Sequence, residues 1–357
     1  MTADPVSWAT ALCGQAVGPY RLRELIGYGG FGLVFSADDV RGSSQVAVKI
    51  LMPSTNPQSA IEFATEGRLL DKLNKCDAVV TLVDSGQFEI EMSMNGFSIP
   101  LELKYHILNL AGGSLDELTA DPDRLGELAW PERISLWRGA IKGVHQMHLK
   151  SIVHRDIKAE NCLLVVRGKR TEVRIADLGR SRDTSAAPTL AREEYLGGRG
   201  DLRFAAPELL WLQGGQREED FRAADLYGLG SLLAELATGH PMTSVAMDSW
   251  RDAVDQGRDD LRKGTRRDLA VLQPQYRRAV TEVVEQMPPS IRLDSEALLS
   301  QLCHPVPIER FPRVSMSSRR STQPGLEWLL QRADILAKRL SIEEKMSSAA
   351  DCRRRRA

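Results

Sequence analysis

Cysteine is scarce and scattered in this chain. Its 357 residues include five, Cys13, Cys76, Cys162, Cys303 and Cys352, and no two form a C-x-x-C pair. That excludes a disulfide framework or a cysteine metal site and points to free thiols in a reducing compartment. Excess charge of either sign is missing too. A net charge of −1 removes any global bias toward nucleic acid or an anionic membrane. No stretch approaches the roughly 18 consecutive apolar residues of a membrane-spanning helix. The N-terminus has no basic segment, and the apolar stretch after it is broken by Thr10, Gly14 and Gln15. A secretory signal is therefore not expected, and the expected location is cytoplasmic. No internal repeat is visible.

What is present suits a globular chain. A hydrophobic fraction of 42% is ample for a core, and 27% charged residues is ordinary. Residues 20–26 alternate polar and apolar and read as a strand. Residues 33–37 and 46–51 follow as two more, joined by short connections that imply antiparallel pairing. Residues 60–73 place Ile61, Phe63, Leu69, Leu70 and Leu73 on one helical stripe. Gly67, inside that helix, costs about 1 kcal/mol relative to Ala and suggests a helix able to shift or loosen. Residues 79–83 and 97–110 add strands, so a five-stranded sheet with one helix is expected. After Gly112-Gly113 the pattern turns helical, with long helices over 130–148 and 223–238. Between them lie a short strand, residues 171–176, and a long irregular loop, residues 180–205. Two or three further helices run to about residue 303.

Four stretches carry chemistry. Gly27-Tyr28-Gly29-Gly30-Phe31-Gly32-Leu33-Val34 fits G-x-G-x-x-G-x-V, in which missing side chains let backbone approach phosphate. A dinucleotide fold would place a helix directly after it; here a strand follows. Lys49 ends a core-like Val-Ala-Val run and needs an anionic partner, for which Glu66 is the first candidate and Glu62 the second. In the stretch 154–161, pinned between apolar segments, Asp156 can accept a proton from or orient an attacking hydroxyl. Lys158 can neutralise a transferred phosphoryl group, and Asn161 can hold a metal ion. Asp177, at a strand end beside Leu178-Gly179, suits Mg²⁺ bound to nucleotide phosphates. His154, behind apolar neighbours, reads as packing.

Taken in order, these pieces with Ala206-Pro207-Glu208 resemble the protein kinase family across residues 20–314. Lys158, two after the catalytic Asp, resembles the serine/threonine branch, and the short first lobe and terse loops resemble bacterial members. The resemblance implies an α+β, bilobal protein kinase-like fold: a small antiparallel β lobe with one helix (18–110) and a larger helical lobe (111–314). Outside it, residues 1–17 read as a loose leader or short arm, and residues 315–357 as a linker and amphipathic helical tail. The resemblance also implies ATP and Mg²⁺, with Mn²⁺ an alternative, and transfer of the γ-phosphoryl group to protein Ser/Thr hydroxyls. Lys49 would bind the α/β-phosphates and pair with Glu66; Asp156 would be the base, and Asn161 and Asp177 the metal ligands. Val34, Ala47 and Leu163 would sandwich adenine, and Leu70, Leu82, His154 and Leu178 would stack in the active state. Glu208 would pair with Arg310, and Asp225 would anchor the catalytic loop. The hinge falls near residues 108–111, with Ile107 or Leu108 gating the adenine pocket.

Two departures stand out. Leu178 replaces the commoner Phe, and Asp201 stands where serine/threonine kinases usually carry Thr. An acid at 201 would repel Asp156 and attract Lys158. Autophosphorylation is expected at Thr184, Ser185 or Thr189, with Arg155 receiving the phosphate. The tail carries an apolar stripe, Leu326, Leu329, Leu330, Ala333, Leu336, Leu340 and Met346, and ends in a basic run from Arg353 to Arg356. The stripe would pack on its own domain or support self-association. Two rival functions are a regulatory pseudokinase and a small-molecule phosphotransferase. Protein substrates are the expected partners, with no nucleic acid and no membrane span.

Overall fold

The computed structural model describes residues 5–29, 32–53, 57–94, 97–168, 170–187, 192–198, 200–313 and 319–354. The chain divides into two compact units, Met1–Gly112 with Ala176–Ser181, and Gly113–Ile175 with Arg182–Ala357. The first is rich in strands and the second in helices, an α+β architecture.

In the first unit, helix α1 (Pro5–Leu12) precedes β1 (Ala16–Val17), β2 (Tyr20–Gly29), β3 (Gly32–Asp39) and β4 (Gln45–Leu51). Helix α2 (Pro57–Lys72), β5 (Leu82–Met94) and β6 (Phe97–Asn109) follow. The strands form one antiparallel sheet of six, ordered β1-β2-β3-β4-β6-β5. Side chains alternate across a strand, so the register sorts the sheet into two faces. One face buries Leu33, Phe35, Val46, Val48, Ile50 and Ile107 in a core that Trp8, Leu12 and Val17 complete. Residues 5–17 are therefore not a loose leader: α1 and β1 belong to the first unit. Their apolar residues are few and become a pattern only once the sheet supplies the surface they cover. β5 begins at Leu82 and runs well past the expected 79–83. It is an edge strand whose residues 83–87 are exposed, so burial imposes no alternation there.

The second unit is built on α7 (Glu218–Thr238), which is buried over nearly its whole length. Short helices α3 (Asp116–Thr119) and α4 (Pro122–Glu127) lead into α5 (Trp130–Leu149), whose Trp137 indole donates to the Leu229 carbonyl of α7 at 2.8 Å. Strand β7 (Ile152–Val153) pairs with β10 (Arg182–Asp183), and β8 (Cys162–Arg167) pairs with β9 (Arg170–Ile175). Helices α6 (Pro207–Leu210), α8 (Met242–Ala246), α9 (Trp250–Lys263), α10 (Gln273–Glu285), α11 (Pro289–Leu302) and α12 (Glu327–Arg354) complete it.

The tail stripe is buried within the unit itself. Leu326, Leu329, Ala333, Leu336 and Leu340 pack α12 onto α5 and α11, and Arg138–Asp334 and Arg339–Asp294 pair at 2.5 Å along the seam. Met346, at the far end of the same stripe, remains exposed. Residues 319–323 are no loose linker either: Arg222 donates to the Thr322 carbonyl at 2.8 Å, and Arg320 donates to the Phe311 carbonyl at 2.9 Å. The side chains of the terminal basic run and residues 314–318 lie outside the described residues.

Candidate active site

The first unit assembles half of the expected chemistry. Lys49 on β4 faces Val34 of β3 and His106 of β6 across the sheet, on the face opposite the α1 core. Its Nζ lies 2.6 Å from Glu66 Oε2 on α2 and 3.2 Å from Asp177 Oδ1. This resolves the choice between carboxylates; Glu62, one turn earlier, accepts from Gln58 at 2.9 Å. Burial works against the charge on Lys49, but Glu66 and Asp177 outweigh it and hold its pKa above the ordinary value. Asp177 adopts a left-handed backbone (φ 59°) that starts the turn Leu178–Arg180, and that turn packs on α2. Leu178 is fully buried, so the smaller apolar side chain is accommodated.

The glycine motif divides by role. A Cβ on Gly32 would stand 2.1 Å from the Ile50 carbonyl, so the β3–β4 approach demands glycine there. At Gly27 and Gly29 a Cβ would meet no protein atom nearer than 3.9 Å. The protein's own packing does not require those two glycines, which leaves their backbone open to a phosphate. Tyr28 is exposed between them. Gly30 and Phe31 lie outside the described residues. Ala47 pairs with Leu108 on the Lys49 face, whereas Ile107 pairs with Val48 on the core face.

The second unit assembles the other half. Asp225, buried on α7, accepts from His148 Nε2 at 2.8 Å, from the His154 N–H at 2.8 Å and from the Arg155 N–H at 2.7 Å. Burial raises its pKa, but the His148 hydrogen bond leads the effects that outweigh it, and the net shift is downward. An ionised carboxylate thus ties the loop 154–161 to the most buried helix. His154 is fully buried, and its Nδ1 accepts from the Asp156 N–H at 3.2 Å. Asn161 Nδ2 donates to the Asp156 carbonyl at 2.7 Å, which orients the amide oxygen away from that contact. Lys158 is ion-paired with Glu160 and lies 5.7 Å from the Phe204 ring centroid. Its pKa is raised, because Asp156, Glu160 and Asp201 together outweigh burial. Leu163, on β8, is half-buried and bridges Ser114. Arg310, fully buried, forks onto Glu208 at 2.6 and 2.7 Å.

The sequence profile described as "Protein kinase domain" matches residues 20–318. The chain belongs to the protein kinase family. It is 29% identical over 224 residues to the serine/threonine-protein kinase PknA of Mycobacterium tuberculosis, covering 62% of this chain and 47% of that protein. A cysteine-rich receptor-like protein kinase 14 of Arabidopsis thaliana is 31% identical over 234 residues, 63% of this chain and 31% of that one. A G-type lectin S-receptor-like serine/threonine-protein kinase of the same plant is 28% identical over 227 residues, 63% and 25%. The chain spans about half the length, or less, of these relatives. Among the described residues no helix is long and apolar enough to cross a membrane.

Several further features surround the loop 154–161. Asp201 is engaged by Arg203, whose Nε donates to its two carboxylate oxygens at 3.0 and 2.8 Å. Burial raises the Asp201 pKa, but Arg203 outweighs it and the net shift is downward. The acid faces Lys158 electrostatically, as expected, with its charge partly offset by Arg203. The Arg155 guanidinium lies 5.2 Å from the Tyr195 ring, within the 180–205 loop, and 5.1 Å from the Phe221 ring. Arg182 lies at 5.1 and 5.0 Å from the same rings. Thr184 donates its hydroxyl to the Ser151 carbonyl at 3.0 Å, Ser185 is exposed, and Thr189 lies outside the described residues. A cavity of about 210 Å³ in this unit is bounded by Arg155, Tyr195, Glu208, Phe221, Arg266 and Phe311. None of Asp156, Lys158 or Asn161 lines it.

Sequence reasoning missed four contributors: His148, Arg203, His106 and Glu235. Arg203 had a local signal, a cation two residues from an unexpected acid. The others act from distant elements. Glu235 on α7 is buried, accepts from Thr119 at 3.2 Å, and has its pKa pushed up to about 7 by burial.

Proposed function

We propose that this chain is a serine/threonine protein kinase. The observation that carries the reading is Lys49, buried yet held charged between Glu66 and Asp177. A cation so placed on the sheet face behind a glycine strand turn suits the α/β-phosphates of ATP. Asp156 is the base: it orients the acceptor hydroxyl and takes its proton as the oxygen bonds to the γ-phosphorus and the bond to the β-phosphate oxygen breaks, releasing ADP. Lys158 offsets the charge of the transferring group. Asn161 and Asp177 fit Mg²⁺ as hard oxygen donors, the first with its amide oxygen already oriented and the second with a partly exposed carboxylate. Bound with the nucleotide, Mg²⁺ supplies charge compensation at the phosphates; Mn²⁺ is the alternative ion. Val34, Ala47 and Leu163 line the adenine, with Leu108 gating because it shares the Lys49 face.

The two compact units correspond to the lobes, the first including α1 and the turn after Asp177, the second including α12. Ser185 is the preferred autophosphorylation site of the described loop, since it is exposed while Thr184 is half-buried; both hydroxyls donate, Ser185 to the Asp183 carboxylate and Thr184 to the Ser151 carbonyl. The four described cysteines are free thiols, which suits a cytoplasmic location. The experiment is incubation of the chain with Mg²⁺ and labelled ATP, offering both generic proteins and small-molecule acceptors, followed by phosphoamino acid analysis. Phosphoserine and phosphothreonine on protein are expected. Label on small molecules alone makes it a small-molecule phosphotransferase. ATP binding without any transfer makes it a pseudokinase.

A further inference from the structure

Helix α2 presents Glu66 to Lys49, and a helix on a sheet can slide unless something fixes its height. His106 meets that need. It sits on β6 directly across from Lys49 in the sheet register. Its ring stacks on Phe63 of α2 with centroids 4.0 Å apart and planes 6° from parallel, and its Nε2 donates to the Phe63 carbonyl at 2.9 Å. One turn along, a Cβ on Gly67 would stand 2.5 Å from the ring's Cε1. Phe63 and Gly67 lie four apart, on one face of the helix, and flank Glu66. Gly67 is thus no point of looseness: it is the notch that admits the ring.

We propose that His106 is a positioning residue whose ring clips α2 to β6 and so sets the height at which Glu66 meets Lys49. Burial holds the imidazole below its ordinary pKa, despite the neighbouring Glu66 carboxylate. Lys49 opposes its protonation as well. The ring is therefore neutral, with the proton on Nε2 for the Phe63 carbonyl. Nδ1 is buried with no hydrogen-bond partner, so it adds nothing that would compete with the clip. Both partners are required by geometry: a ring on β6 without the notch would clash, and a notch without the ring would leave a gap.

The consequence for catalysis rests on the kinase reading, and the test separates the two. Hydrogen exchange of the α2 amides and steady-state kinetics are measured for wild type, His106→Ala, Gly67→Ala and the double variant. Each single variant is expected to speed α2 exchange at least about tenfold, leave α7 exchange unchanged, and lower kcat more than it raises the KM for acceptor protein. The two changes act on one contact, so the double variant should match His106→Ala alone. Unchanged α2 exchange in His106→Ala, or losses that simply add in the double variant, would overturn the proposal. A wild type that transfers no phosphoryl group defeats the kinase reading, while the exchange measurement still decides the clip.

Discussion

The Glu208–Arg310 pair offers a magnitude that follows from geometry. Arg310 has no exposed surface, and besides Glu208 it donates to the carbonyls of His304, Ala223 and Pro305 at 2.8, 3.1 and 3.3 Å. Glu208→Ala leaves a buried guanidinium with those dipoles but no counter-charge. Removing one partner of such a pair costs about 3–5 kcal/mol. The exposed Arg258–Asp255 pair, 65% and 70% accessible, marks the other extreme, at about 0.2–1 kcal/mol. For a unit of this size, about 2–4 °C per kcal/mol converts the loss into a Tm lower by roughly 6–20 °C. Urea unfolding followed by tryptophan fluorescence measures it, since Trp211 is buried on the segment next to Glu208. Glu208→Ala with Arg310→Met should recover much of the loss, because no unpaired charge then remains. A cost below about 1 kcal/mol for Glu208→Ala would show that the pair is not the buried anchor described.

Other perturbations probe separate parts. Arg203→Ala should expose the Asp201 charge to Lys158 and lower kcat about tenfold, and Asp201→Thr in the same background should restore it; an unchanged kcat would refute the compensation. The Glu235 carboxyl is raised from 4.5 to about 7, so between those values the folded chain holds a proton that the unfolded chain has released. Stability should therefore fall as pH rises through that window, by roughly 3 kcal/mol in all. Glu235→Gln should stabilise the protein at pH 8 and change little at pH 5, and equal effects at both pH values would contradict this. Leu336→Ala on α12 should cost about 2–5 kcal/mol in denaturant unfolding without altering the sedimentation coefficient, whereas a change in oligomeric state would make the tail an association surface.

The parts legible in the sequence were those whose chemistry is local. The strand turn 27–34, Lys49 after its apolar run, and Asp156, Lys158 and Asn161 within six residues could be read without a fold. Glu66 was ranked ahead of Glu62 from the sequence, and the rotation of α2 points Glu66 at Lys49. Trp8, Leu12 and Val17 read as a leader, since the face they cover is made by strands that come later in the chain. β5 hid because an edge strand with exposed residues carries no burial pattern. The charge on Asp201 was legible, but its offset by Arg203 depends on side-chain direction within a short turn. Arg155 was read as a phosphate acceptor from its place beside Asp156; its packing against the rings of Tyr195 and Phe221, 40 and 66 positions away along the chain, had no local signal.

The central claim, phosphoryl transfer by this loop, is tested most directly by the rate of label transfer from γ-labelled ATP to protein hydroxyls, wild type against Asp156→Asn. The amide preserves the shape of Asp156 and removes the proton acceptor. The account predicts transfer by the wild type and a loss of about 10²–10⁴-fold in the variant, with folding and ATP binding retained. Equal rates in the two proteins would contradict it.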